Sequence, residues 1–421
     1  MLDRILAAGV QPALWTFNRI DQFRGQSVNY PPDGSPQTQL EKLRQHGTMI
    51  RSLYVNGWTA IGYDNVQALL QHKQLTTDIA SNRFANLVIR SAAGRPDVPF
   101  LDYPSMQQSD PPAHTRLRKL TAAGFTHKYV QTLEPVIERL VEECLDNIPG
   151  PDFDFMAHLA RPLPAIVIAE MLGVPVEERH LFEQWSAEIL GISQVLRPNA
   201  IKTAVEADIA LRDYLAAQVR LKRDQPGDDL LSRLLTAEAE GDALTLDELY
   251  STCILLLMAG HETTTRLLGN CLYRLLTHPE AMADVRRDDT LLTQAIEESL
   301  RLDPPVMITT RFVKSSFDWQ HVHLKAGRVI LLSILGANHD PAVNAAPARF
   351  DIHRESIRHL SFGYGMHLCL GISLARLEAR VAMKQLLARY PGLQLADSQP
   401  DWEYSPFFRG MNTLNLVIQR G

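Results

Sequence analysis

Cysteine is scarce and unpaired in this chain. The four cysteines among 421 residues, Cys144, Cys253, Cys271 and Cys369, form no C-x-x-C pair. That spacing argues against a structural zinc site or a disulfide framework and points to a reducing environment. Long hydrophobic runs are missing too, since no stretch approaches the 18 or so consecutive apolar residues that a membrane-crossing helix needs. Residues 5–10 are too short a run, and too weakly basic at their flank, for a secretory signal, so the cytoplasm is the expected location. Neither sign of charge dominates: 42 basic against 48 acidic side chains leave −6, without the basic surface that nucleic acid demands. A G-x-G-x-x-G dinucleotide fingerprint is absent, as is a cysteine cluster for an iron–sulfur centre.

What is present is a globular composition, 45% hydrophobic and 21% charged, patterned mostly for helices. Residues 1–40, rich in Gly, Pro, Ser and Gln, read as a loosely packed arm before a body over 41–421. Two apolar runs flanking Asn56-Gly57 predict a hairpin and hence a small early sheet. Helical periodicity is expected over 64–72, 130–147, 155–173 and most of 178–239, with breaks near Pro198 and Pro226. The capping box Thr245-Leu246-Asp247-Glu248 predicts a helix of about 30 residues ending at His278-Pro279, long enough to cross the core. Leu256, Ala259, Gly260 and Thr263 share one face of it, with small residues where bulk is expected, so something flat should lie there. Strands are expected near 306–312, 329–332 and 414–418.

The densest chemical signal is residues 362–371, Phe-Gly-Tyr-Gly-Met-His-Leu-Cys-Leu-Gly, running straight into a helical pattern. Three glycines in ten positions allow a tight loop beside a flat group, and Cys369 stands just before a helix start, whose free N–H groups stabilise a thiolate. Written F-x-x-G-x-H-x-C-x-G, the segment resembles the haem-binding loop of the cytochrome P-450 family. The resemblance makes Cys369 the axial thiolate ligand of haem iron, with Phe362, Gly365, His367 and Gly371 completing the loop.

Other segments join this resemblance. In residues 110–119, His114 and Arg118 stand four apart on a helix that Asp110 caps; spacing alone gives a solvated basic face, whereas D-P-P-x-H-x-x-x-R resembles the family's haem-propionate helix. Arg311 and His367 are implied as further propionate ligands. Ala259-Gly260-His261-Glu262-Thr263-Thr264 is similar to the oxygen-activation segment, which makes Glu262 and Thr263 a proton-delivering acid and alcohol. From spacing alone, Glu262 reads as an i, i+4 ion-pair partner of Arg266, and His261 and Thr264 read equally as pocket lining or satisfied core groups. Glu298 and Arg301 resemble the family's buried structural E-x-x-R, with Arg349 as the implied third member. The turn at 407–410 is expected to reach back over the substrate.

The resemblance implies a mainly α fold with a minor β region, holding haem b between the long central helix and the cysteine loop. It implies a monooxygenase that inserts one atom of dioxygen into an apolar substrate such as a terpenoid, steroid or fatty acyl compound. Electrons are expected from NAD(P)H through a separate ferredoxin and reductase, docking where Arg116, Lys119, Arg358 and Arg376 offer positive charge. A peroxygenase would not need the Glu262–Thr263 pair, and a haem-thiolate gas sensor would normally carry an output domain, which the sequence does not display.

Overall fold

A computed structural model describes residues 17–27, 36–122, 125–191, 199–236, 238–239, 242–396, 399–403 and 405–419. Five strands make the main sheet: β1 (Met49–Ser52), β2 (Gly57–Ala60), β3 (Leu75–Thr76), β4 (Ile308–Val313) and β5 (Val329–Ser333), in the spatial order β1-β2-β5-β4-β3. Only β2 and β5 run parallel. The hairpin is present, but its turn is longer than the Asn-Gly pair suggests. Ser52 pairs with Gly57, residues 53–56 make the turn, and Asn56 takes the positive φ of 47°. Gly57 instead opens β2, where a Cβ would lie 1.9 Å from the Val329 carbonyl oxygen, so only glycine lets the two strands approach.

Helix α1 (Gln37–Gln45) buries Leu40 and Leu43 against Ile50, Ile308 and Leu331, and α2 (Tyr63–Leu70) buries Val66 and Leu69 on the sheet's other hydrophobic cluster. The region read as a loose arm is tied down where it is described. Asp21, 1% exposed, accepts hydrogen bonds from the Leu53 and Tyr54 amides and from Ser52 Oγ. Residues 1–16 and 28–35 of that region lie outside the described residues, as does the break expected at Pro198.

Helices build the rest. The helix expected at 110–119 is α3 (Ala113–Ala122). The periodicity over 130–147 resolves into His127–Thr132 and α4 (Glu134–Asp146), with Pro135 in the first turn of the second, where its missing N–H costs nothing. Residues 155–173 divide at Arg161 into a π-helical turn, Met156–Ala160, and α5 (Pro162–Leu172). After α6 (Ala200–Asp224) comes the central helix α7 (Leu246–Thr277), 32 residues long, started by the expected reciprocal capping of Thr245 and Glu248. It packs on α5, on α8 (Leu291–Leu302) and on α9 (Ile372–Arg389). Leu257, Leu268, Leu272 and Leu275 on α7 are fully enclosed, each burial stabilising by about 1.5–3 kcal/mol. Cys253 and Cys271 sit in the same core, where burial pushes both thiols up to about 12, so they behave as small hydrophobes. None of the described helices is long and apolar enough to cross a membrane.

The expected anchor below the cysteine loop is formed by Glu298 and Arg301, both fully buried and joined by two hydrogen bonds of 2.7 and 2.8 Å. Its third side chain is Arg354, not Arg349. Arg354 Nε donates to Glu298 Oε1 at 2.8 Å, whereas the Arg349 side chain is 73% exposed and gives the cluster only its carbonyl. The chain turns between the two arginines, and the later one faces inward.

Candidate functional site

A cavity of about 540 Å³ lies between α7 and the loop before α9. The loop is fixed by backbone geometry. Gly363 and Gly365 both take φ +74°, and the Cys369 amide donates to the Phe362 carbonyl at 2.8 Å. These bends bring Phe362, His367, Cys369 and Gly371 to the cavity, while Arg376 packs its guanidinium 4.9 Å over the Phe362 ring. Gly365 stands outside the lining. It backs onto Gln71, where a Cβ would come within 3.0 Å of the Gln71 Cβ, so its part is to shape the loop. Burial pushes the Cys369 thiol up; the Gly371 N–H and the charges of Arg118 and Arg376 oppose this. Of the four cysteines it alone borders the cavity.

One end of the cavity gathers His114, Arg118, Arg311 and His367. The imidazoles of His114 and His367 meet edge-on with centroids 4.5 Å apart. His114 Nε2 is buried with no hydrogen-bond partner among the described residues. The Arg311 side chain, 5% exposed, bonds only Thr309 Oγ1 and the Thr310 carbonyl among the described residues, and burial lowers it to about 10. Burial, with Arg311 and His114 alongside, takes His367 down to about 4. The one carboxylate that acts on His114, Arg311 and His367 is Asp110, which itself pairs with Lys314 at 3.2 Å, so the crowded donors favour an anionic guest.

The opposite wall is α7. Ala259, Gly260, Thr263 and Thr264 line it, and the Thr263 hydroxyl donates to the Ala259 carbonyl at 2.6 Å. Gly260 is small because Ile168 of α5 fills the place of its side chain, 3.0 Å from a built Cβ. His261 is absent from the cavity lining and pairs its Nε2 with the Arg161 carbonyl at 3.1 Å. Glu262 is not brought into this cavity. It forms the i, i+4 ion pair with Arg266, which also binds Glu403 at 2.6 Å. Burial would raise the Glu262 carboxyl, but Arg266 and His261 outweigh it and hold the group below its ordinary range. Its side chain borders a second, polar pocket of about 200 Å³, together with Arg161, Glu403 and Asn412.

Ile168, Met106 and Glu378 also border the cavity, and no motif pointed to them because each arrives through long-range packing. Glu378 is 1% exposed with Oε2 unpartnered among the described residues, and burial raises its carboxyl well above the usual value. The 407–410 turn reaches the wall from behind: Met307 N donates to the Phe407 carbonyl at 2.7 Å, and Phe408 bridges Val306. Two of the expected docking cations are engaged elsewhere, Arg116 with Asp242 and Glu248, and Arg376 with Glu297.

These residues fit a haem. A thiol at the helix start can serve as the single protein ligand, the two arginines and two imidazole donors answer two carboxylates, and small residues face them across the gap. Among the described residues no three His, Cys, Asp or Glu side chains converge to hold a metal ion unaided.

Comparison with known proteins gives the same reading. Residues 63–407 match the family described as cytochrome P-450. The chain is 38% identical over 368 residues to cytochrome P-450 107B1 of Saccharopolyspora erythraea, covering 86% of this chain and 89% of that protein. To 6-deoxyerythronolide B hydroxylase of the same bacterium it is 37% identical over 378 residues, 88% of this chain and 92% of the other. The solved structure of myxobacterial CYP267B1 with myristic acid superposes with a TM-score of 0.84 at 33% identity, over 92% of this chain and 98% of that one.

Proposed function

The chain belongs to the cytochrome P-450 family of monooxygenases, and from that membership we propose that it hydroxylates or epoxidises an apolar terpenoid, steroid or fatty acyl-like compound. One observation carries the reading: a single cavity has Cys369 on one wall, the cluster of two arginines and two histidines at one end, and a largely apolar face formed by Ile168, Leu255, Leu256 and Val306. Cys369 would ligate the haem iron, and His114, Arg118, Arg311 and His367 would hold its carboxylates. Bound there, haem supplies the redox chemistry that activates dioxygen.

The remaining work falls to the chain's own residues. The apolar face excludes water and receives a substrate with little polar surface. Thr263, its proton already given to the Ala259 carbonyl, keeps hydroxyl lone pairs free to order a water at the cavity wall. Glu262 is proposed to pass protons inward from the second pocket, with Arg266 setting its resting ionised state.

Electrons are proposed to come from NAD(P)H through a separate ferredoxin and its reductase in the cytoplasm. Within the loop Met366 is exposed, while Tyr364 and Leu368 also line the cavity, and electrostatic complementarity from Lys119 and Arg358 would steer an acidic carrier. The test is turnover of a bound hydrophobic compound with nicotinamide alone and then with ferredoxin and reductase. Turnover only with the carriers, falling as salt rises, is expected; appreciable turnover with nicotinamide alone would overturn the proposal. A spectral titration across a library of terpenoids, steroids and fatty acids identifies the substrate class.

A further inference from the structure

The cavity wall is fastened from behind by a buried carboxylate, Asp303, that the haem and proton-delivery roles leave without a task. Asp303 follows α8 and is 1% exposed. Its Oδ2 accepts from Arg274 Nε of α7 and its Oδ1 from Arg409 Nε of the C-terminal turn, both at 2.5 Å. Burial alone would raise this carboxyl, but the two guanidiniums hold it far below the usual carboxylate range. Asn270 spans the same joint, its Nδ2 donating to the carbonyls of Asp303 and Arg409, each at 3.0 Å. Arg409 also lies 4.2 Å over the Trp402 ring and donates its backbone N–H to the Pro305 carbonyl at 3.0 Å.

These contacts converge on two wall residues. Val306 borders the main cavity and Phe408 the second pocket, and a β-bridge joins them back to back. Asp303 reaches this pair from both sides. Through the chain it is three residues from Val306, and through Arg409 it is one residue from Phe408. The rest of the turn is held to Pro305 and Met307 by two backbone hydrogen bonds. Such a short irregular segment opens locally unless side-chain contacts pin it.

We propose that Asp303 is a specificity-positioning residue: by locking Arg409 to α7 it sets where Val306 and Phe408 stand, and with them the shape of the wall presented to substrate. The proposal rests on reading the main cavity as the haem and substrate chamber. Asp303 touches no reacting group, so it acts through the turn.

The test uses the haem-loaded full chain and Asp303→Asn, which keeps shape and removes charge. Arg409→Gln, which leaves the Asp303–Arg274 pair intact, is the second variant should the first not fold. Two readouts are compared: amide hydrogen exchange over 405–411, and affinity for imidazole and 4-phenylimidazole, which both bind haem iron through nitrogen but differ in the wall space they need. Exchange in the turn should accelerate about tenfold or more while the middle of α7 stays protected. The affinity ratio of the two azoles should shift by about tenfold with imidazole itself unchanged. Unchanged exchange and ratio in a folded variant would overturn the proposal, and so would faster exchange with an unchanged ratio. Failure of the unsubstituted protein to take up haem or bind imidazole would instead sink the reading of the chamber.

Discussion

Arg354 shares the Glu298 carboxylate with Arg301, placing its Nε 2.8 Å from Oε1 while Arg301 Nη2 binds the same oxygen at 2.8 Å. With the Asp351 amide also donating there at 3.0 Å, the oxygen is saturated and the charge fully compensated away from water. Removing Arg354 keeps the Glu298–Arg301 pair but takes a buried charge-assisted hydrogen bond from Oε1 and the donors from the Ala345, Ala346 and Arg349 carbonyls.

Arg354→Ala should therefore destabilise by about 2 kcal/mol and weaken haem retention on gel filtration. Arg349→Ala, with its side chain in solvent, should stay within about 0.5 kcal/mol of the parent. Chemical denaturation of both variants decides between them. Equal losses would mean that Arg349 belongs to the cluster after all.

The contrast between these two arginines marks what could be read from sequence. Glu298 and Arg301 are three apart on one helix, so their pairing is written locally, as are the Thr245–Glu248 cap and the glycine-bent loop around Cys369. The third arginine arrives through an irregular loop, whose direction depends on long-range packing, and the family resemblance points to Arg349, which faces outward. Glu262 shows the same limit. Its position next to Thr263 in sequence puts it about 100° away around the helix, so one side chain borders the main cavity and the other the polar pocket. Ile168 and Glu378 were invisible because nothing local distinguishes a cavity-lining residue from a core one.

Gly57→Ala tests the close approach of β2 and β5. A methyl group 1.9 Å from the Val329 oxygen cannot be relieved by a side-chain rotation, because backbone is on the other side. The strands must separate, at a cost of about 3 kcal/mol or more. Thermal unfolding should report a large fall in Tm, while the same substitution at Gly94, which has open space but a positive φ of 69°, should cost only about 1 kcal/mol. A neutral Gly57→Ala would contradict the parallel pairing.

Acid stability should depend on Glu297. Burial pushes its carboxyl up, but hydrogen bonds and charge from His359 and Arg376 outweigh that and hold it at about 2, below the 4.5 of a free glutamate. A group with a depressed folded-state value stabilises fully above its unfolded value and loses that contribution as pH falls through the folded one. The contribution of Glu297 should thus be complete above about pH 4.5 and fade toward pH 2. Denaturation midpoints measured across this window should fall for the parent and flatten for Glu297→Gln. Parallel curves would remove the ion pairs from the account of acid stability.

Thr263→Ala should still consume reductant but convert less of it to product, with the balance appearing as hydrogen peroxide. The Thr263 hydroxyl stands at that wall with its proton already committed to the Ala259 carbonyl. Product formed per reductant consumed should fall severalfold, and adding Glu262→Gln should lower it further. An unchanged ratio in Thr263→Ala would place the proton path elsewhere.

The haem chamber turns on Cys369 as the ligand, and the spectrum of the reduced carbon monoxide complex tests that most directly. The parent protein should show the red-shifted Soret band that thiolate ligation produces, and Cys369→His, loaded with haem and folded, should lose it. Absence of the band in the parent, or its retention in Cys369→His, would contradict the assignment.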